Sequence, residues 1–212
     1  MSDDPLTYLF SFICHQLADR SLTINNSVMP LCARCTGIYS GFFISTLFQC
    51  ARNRKVSQLP PLFITFSSII AILLMILESI GERLYWWEST NDARFLMGLI
   101  LGSAISVLLL PLFNFYLIDK NYSSLDKKFY VFLVLIVAAA FVFQYTPFSF
   151  HFFLITSTVG VLAIYIMASL SFASVLVSYR KKVSTLSSNR ILTIYIGILL
   201  LIIEVFIFKT GK

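Results

Sequence analysis

Apolar residues fill long blocks of this chain without interruption, and short polar stretches separate the blocks. The blocks are about 20 residues long, which predicts membrane-crossing α-helices: a helix rises 1.5 Å per residue and the hydrocarbon layer is about 30 Å thick. Barrel strands would alternate apolar and polar residues instead. Six spans are expected, at 31–51, 60–80, 93–118, 128–146, 151–178 and 190–208. Before them, Asp4 followed by Pro5 reads as a helix start, so 5–18 is expected as a short amphipathic helix lying at the membrane interface. The expected organisation is an N-terminal interfacial segment, 1–30, carrying Cys14-His15, then a six-helix transmembrane domain, 31–212. The fold class is all-α, a polytopic integral membrane helix bundle. Thr36-Gly37 and Gly41 in the first span are small residues that allow close helix packing, and Gly98 and Gly102 in the third have the GxxxG spacing that favours tight helix contact.

Composition strengthens the membrane assignment. Of the 212 residues, 58% are hydrophobic and 12% charged, where a soluble domain carries about 25% charged residues. Mean hydropathy is +0.86. The formal charge of +6 resides largely in loops, where it sets topology and leaves no basic face for nucleic acid. Ten Lys and Arg residues lie in the loops after spans one, three and five, against six on the other side. By the positive-inside rule those loops are cytoplasmic and both termini extracytoplasmic. The expected location is an inner or plasma membrane, multi-pass, with the lipid bilayer as partner. Asp3 and Asp4 replace the basic start of a secretory signal, so the first long apolar run is expected to remain as a span.

Chemistry concentrates in one segment. Three of the four cysteines, Cys14, Cys32 and Cys35, fall near the expected outer face, and His15 adjoins the first. Thiolate and imidazole are preferred zinc ligands, and a C-x2-C pair brings two sulfurs within reach of one ion. Cys14, His15, Cys32 and Cys35 are therefore the candidate metal ligands, with zinc as the candidate cofactor. Neighbours on a helix point about 100° apart, so Cys14 and His15 share an ion only with local distortion. Three other outcomes remain open: a Cys32/Cys35 thiol–disulfide oxidoreductase, a structural disulfide, and inert membrane cysteines. Cys50 is expected as a small buried hydrophobe.

A second polar cluster runs from Glu78 to Arg94 on the same expected face. Glu78 is placed to pair with Arg94 across a helical hairpin, while Trp86 and Trp87 form an interfacial belt. Arg34, Arg94 and Asn91 are candidates for binding an anionic small molecule or a lipid phosphate. With an open metal position, Glu78 or Glu88 would be the candidate general base for a metal-bound water. His151 is expected on this side as an interfacial residue, and Glu204 is a buried acid without an assigned role. A small transporter braced by its cysteines is disfavoured, because spans four to six carry few polar groups besides Gln144 and Glu204.

At these residues the chain resembles the DUF2085 family of predicted membrane proteins. The first block comprises Cys14-His15, Arg20-Ser21 and the run from Cys32 through Arg34-Cys35-Thr36-Gly37-Ile38-Tyr39 to Gly41. The second comprises Glu78, Glu88-Ser89-Thr90-Asn91, Arg94 and Gly98 to Gly102; the family's usual Asp-Gly stands here as Glu78-Ser79. The resemblance covers about 1–105. It implies a multi-span topology and a shared polar site, and no established reaction.

Overall fold

The computed structural model describes residues 5–24, 26–52, 60–117, 127–146 and 148–180. Six helices and one β-hairpin occur among them. Helix α1 (Pro5–Phe10) is followed by a single 3-10 turn (Ala18–Arg20), strands β1 (Ser21–Ile24) and β2 (Ser27–Cys32), and then α2 (Ala33–Arg52). Helices α3 (Leu62–Arg83), α4 (Asn91–Leu117), α5 (Lys127–Phe143) and α6 (Ser149–Arg180) follow.

Among the described residues, three helices are long and apolar enough to cross a membrane: Leu62–Arg83, Asn91–Asn114 and Ser149–Ala173. The helical membrane fold is thus supported, while the expected number of six spans is not. Helix α2 does not qualify because it carries Arg34, Thr36, Ser40, Ser45, Thr46 and Gln49; all but Thr36, which donates to the Leu31 carbonyl in β2, bond to other helices. Helix α5 contributes a shorter apolar run, Leu133–Phe143. The sixth expected span, 190–208, and Glu204 with it, lie outside the described residues. The expected interfacial helix over 5–18 also contracts: it ends at Phe10, and the chain then folds back through Gln16, at φ 51°.

The unforeseen element is the antiparallel hairpin. Its strands pair Thr23 with Val28 and Ile24 with Ser27, and Asn26 in the connection takes φ 62°. Asparagine accepts this left-handed conformation more readily than other residues with a side chain. The hairpin docks onto the bundle. Leu22, Ile24 and Met29 are buried in one cluster with Ala33, Phe95, Leu99 and Phe153. The boundary expected at residue 30 falls inside β2, which runs straight into α2.

Helices α2 and α4 form the centre of the bundle, and glycines make their contact possible. A β-carbon at Gly37 would collide with the Phe95 carbonyl, and one at Gly98 with the Arg34 carbonyl. Gly41 and Gly102 meet the opposing helix at Leu99 and Ile38 in the same way. Backbones this close bring short polar side chains together. Ser45 bonds Ser103 at 2.7 Å, and Ser106 lies 2.7 Å from both Thr46 and Gln49. Such bonds hold helices together where lipid supplies no hydrophobic drive. Helix α6 closes the other side, where Thr156 donates to Ser40 at 3.0 Å.

Candidate metal centre

Helix α2 begins at Ala33, so Cys32 occupies the position just before it. The Cys32 sulfur accepts the Cys35 N–H at 3.5 Å, in the place a capping oxygen usually takes. Cys35 is in the first turn, and both sulfurs sit at the positive end of the helix. Cys14 arrives from the other side. Its amide is held by the Phe10 carbonyl at 3.0 Å, and Phe10 is fully buried. The Cys14 sulfur accepts the Cys32 N–H at 3.3 Å.

The three sulfurs therefore converge, all within 4.8 Å of one another, and none is bridged. Tetrahedral zinc–sulfur bonds of about 2.3 Å require S···S separations of about 3.8 Å, so closing the group on an ion takes at most about 1 Å of side-chain movement. The surroundings are apolar: Phe10, Leu31 and Val161 are buried in the same cluster, with Tyr39, Leu154 and Tyr165 against it. Within the group, hydrogen bonds from the Cys32 and Cys35 thiols hold the Cys14 thiol well below the usual thiol range. The Cys14 charge beside it raises Cys32, chiefly through their shared hydrogen bond. The cluster thus concentrates one thiolate among sulfur donors, with backbone N–H groups directed at two sulfurs.

His15 does not join the three sulfurs. It is exposed, and its Nδ1 accepts only a long bond, 3.4 Å, from the Leu17 amide. It does line a cleft of about 610 Å³ whose lining also includes Cys32 and Cys35. Cys50 lies near the far end of α2 and is exposed rather than buried.

The second polar cluster closes the cleft from α3. That helix ends in a left-handed cap: Trp86 N–H bonds the Gly81 carbonyl at 3.0 Å, Tyr85 N–H bonds the Glu82 carbonyl at 3.2 Å, and Tyr85 takes φ 56°. Glu78 and Glu82 occupy the last two turns, four residues apart on one face. Arg34 donates to Glu78, and to Glu82 at 2.9 Å. Arg94 donates to Glu82, and to Asn91 at 2.8 Å. Ser89 donates to Glu78. The ion pairs thus differ from the expected Glu78–Arg94 pair: each arginine binds Glu82, and Glu78 binds Arg34. Glu82 carried no role in the sequence expectations, although its i+4 spacing from Glu78 was the available signal. Asn91 donates to the Asp19 and Ser21 carbonyls at 3.0 and 3.1 Å, which ties the hairpin to the start of α4. Glu88 is exposed and does not line the cleft, and neither does exposed His151. Trp86 and Trp87 are exposed next to the end of α3, as an interfacial belt requires.

These features define a class: an α-helical membrane protein with three clustered cysteines and a charged cleft at one end of its bundle. The chain belongs to the DUF2085 family of predicted membrane proteins, whose profile matches residues 14–108. It is 31% identical over 115 residues to an uncharacterized protein of Methanocaldococcus jannaschii, covering 54% of this chain and 71% of that one. It is 30% identical over 102 residues to an uncharacterized protein of Methanothermobacter thermautotrophicus, covering 47% and 86%. No solved structure matches. The family match ends within α4, so the wall that α6 places against the sulfurs lies beyond it.

Proposed function

We propose that this protein is a multi-pass inner or plasma membrane protein that holds one zinc ion on Cys14, Cys32 and Cys35. In this reading the site lies at the extracytoplasmic end of the bundle. The supporting observation is the convergence of three sulfurs from two chain segments, with amide N–H groups donated to Cys14 and Cys32. A disulfide would use two of the sulfurs and leave the third in an apolar pocket with no bonding task. A tetrahedral ion uses all three and leaves its fourth position toward the cleft, for His15 or for a bound molecule. Arg34, Arg94 and Asn91 then act as positioning residues, fixing the start of α2, the end of α3 and the hairpin around the sulfurs.

Metal analysis of protein purified in detergent tests this. The wild type is expected to carry one zinc per chain. Cys14→Ser, Cys32→Ser and Cys35→Ser should each lose it, while Cys50→Ser keeps it. A wild type without stoichiometric metal, or one whose Cys32 and Cys35 cycle through a reversible disulfide under a thiol redox buffer, overturns the assignment in favour of thiol chemistry.

A further inference from the structure

The cleft beside the sulfurs is amphipathic along its length. One end is apolar, with Ile38 from α2 facing Met75, Ile76 and Ile80 from α3. Helix α3 packs chiefly on α4, so its contact with α2 is slight and the cleft lies between them. Ile76 and Ile80 are each 46% exposed, and they belong to a helix apolar enough to sit in a bilayer. This end of the cleft is therefore open to lipid on its flank. The other end is polar and carries four arginines, Arg20, Arg34, Arg83 and Arg94, with Glu82.

Charge accounting separates these arginines into two kinds. Arg34 and Arg94 are committed: together they neutralise Glu78 and Glu82. Arg20 only borders carboxylates, at 3.8 Å from Glu82 and 4.0 Å from Asp19, and its side chain is 44% exposed. Arg83 is exposed and has no ion pair among the described residues. Four arginines against Glu78, Glu82 and Asp19 leave a surplus of one positive charge, with Arg20 only loosely paired and Arg83 without an ion pair among the described residues. Guanidinium groups recognise phosphate in a bidentate, geometrically specific way. A volume of about 610 Å³ accommodates a headgroup and the first part of a chain.

We infer that this cleft binds a phospholipid with an anionic headgroup, its phosphate on Arg20 and Arg83 and its acyl chain along Ile38, Ile76 and Ile80. The committed pairs of Arg34 and Arg94 shape the floor of the site, and the loosely paired Arg20 and the exposed Arg83 select the charge. A bound headgroup sits beside Cys32 and Cys35, within reach of the proposed ion's fourth position. The phospholipid does not require that ion in order to bind.

The test uses the full-length protein in a neutral detergent, with dioctanoyl phosphatidylglycerol, dioctanoyl phosphatidylcholine and inorganic phosphate as probes. Binding is followed by native mass spectrometry and by the shift in melting temperature, with zinc content measured in the same samples. Phosphatidylglycerol is expected to bind saturably and at least tenfold more tightly than phosphatidylcholine, with no competition from equimolar inorganic phosphate. The Arg20→Gln/Arg83→Gln double variant should lose that tenfold preference. Ile76→Trp, which fills the apolar end, should weaken both lipids. Equal affinity for the two lipids, or an unchanged preference in the double variant, overturns the proposal. Displacement by inorganic phosphate also overturns it, because the ligand is then a free anion. Lipid selectivity without zinc in any sample refutes the metal assignment alone; zinc without lipid selectivity refutes this one alone.

Discussion

Arg34, set between Cys32 and Cys35 in the chain, reaches across to α3 and binds the Glu78 carboxylate. The same guanidinium holds Glu82 at 2.9 Å, so one side chain fixes the entry to α2 against the end of α3. The two conspicuous sequence blocks, Cys-Ala-Arg-Cys and the acidic segment from Glu78 onward, meet through this residue.

Removing Arg34 leaves the largely buried Glu78 without an ion pair among the described residues, while Glu82 keeps Arg94 and, at 3.8 Å, Arg20. Breaking a buried pair by deleting one partner costs about 3 kcal/mol, because a charge is left uncompensated. Arg34→Met is therefore expected to lower the melting temperature in detergent markedly. Arg34→Met/Glu78→Gln should recover part of the loss, since the double change removes the stranded charge as well. A double variant no more stable than the single one would show that the pair carries no coupling.

The α2–α4 crossing gives a second prediction. A side chain at Gly98 meets the Arg34 carbonyl, which cannot move without displacing the first turn of α2. Gly98→Val should cost about 3 kcal/mol or more, at the upper end for overpacking. Because that first turn carries Cys35, zinc content should fall with stability. Ala138, on α5 and away from this crossing, lines a separate cleft of about 330 Å³ between α3, α4 and α5. Ala138→Val should leave zinc content unchanged. Thermal melts and metal analysis of the two variants check both statements.

The crossing and the cysteine cluster were legible in the sequence because each rests on a strong local rule. Small residues four apart in apolar helices mark close packing, and Gly37, Gly41, Gly98 and Gly102 do lie in one contact. Three cysteines close to one expected membrane face were suited to gather, and they do. His15 could not be placed in this way. Its direction depends on a backbone reversal at Gln16, which no spacing rule reports. The hairpin was obscured because β1 has only four residues, and its burial comes from docking on Phe95 and Phe153 in distant helices. The ion pairs were half legible: the charged residues were identified, but their partners depend on how α3 is rotated, which the cap at Tyr85 and the packing on α4 determine.

Tyr85 ends α3 in a conformation that glycine adopts at no cost. A left-handed backbone costs a residue with a β-carbon about 1 kcal/mol, and Tyr85 is 93% exposed, with little packing to offset it. Tyr85→Gly should therefore raise stability by about 1 kcal/mol, seen as a higher melting temperature in detergent. A drop instead would show that the ring, which borders the cleft, contributes more than the strain costs.

Acid should release the proposed metal, with a steepness set by the cluster. Ions bind thiolates, so protons compete with zinc for each sulfur. The Cys14 thiol, held far below its usual range by the hydrogen bonds from Cys32 and Cys35, is already ionised near neutral pH. Cys32 lies above its usual range and must give up its proton on loading, as must the remaining thiol. Loading should thus release about two protons rather than three, and affinity should rise with pH, by about two decades per unit in the range where both sulfurs are protonated. Isothermal titration of zinc into the stripped protein in buffers of different ionisation enthalpy measures the proton count directly. A wild-type count of three would mean that the Cys14 charge is absent from the apo cluster.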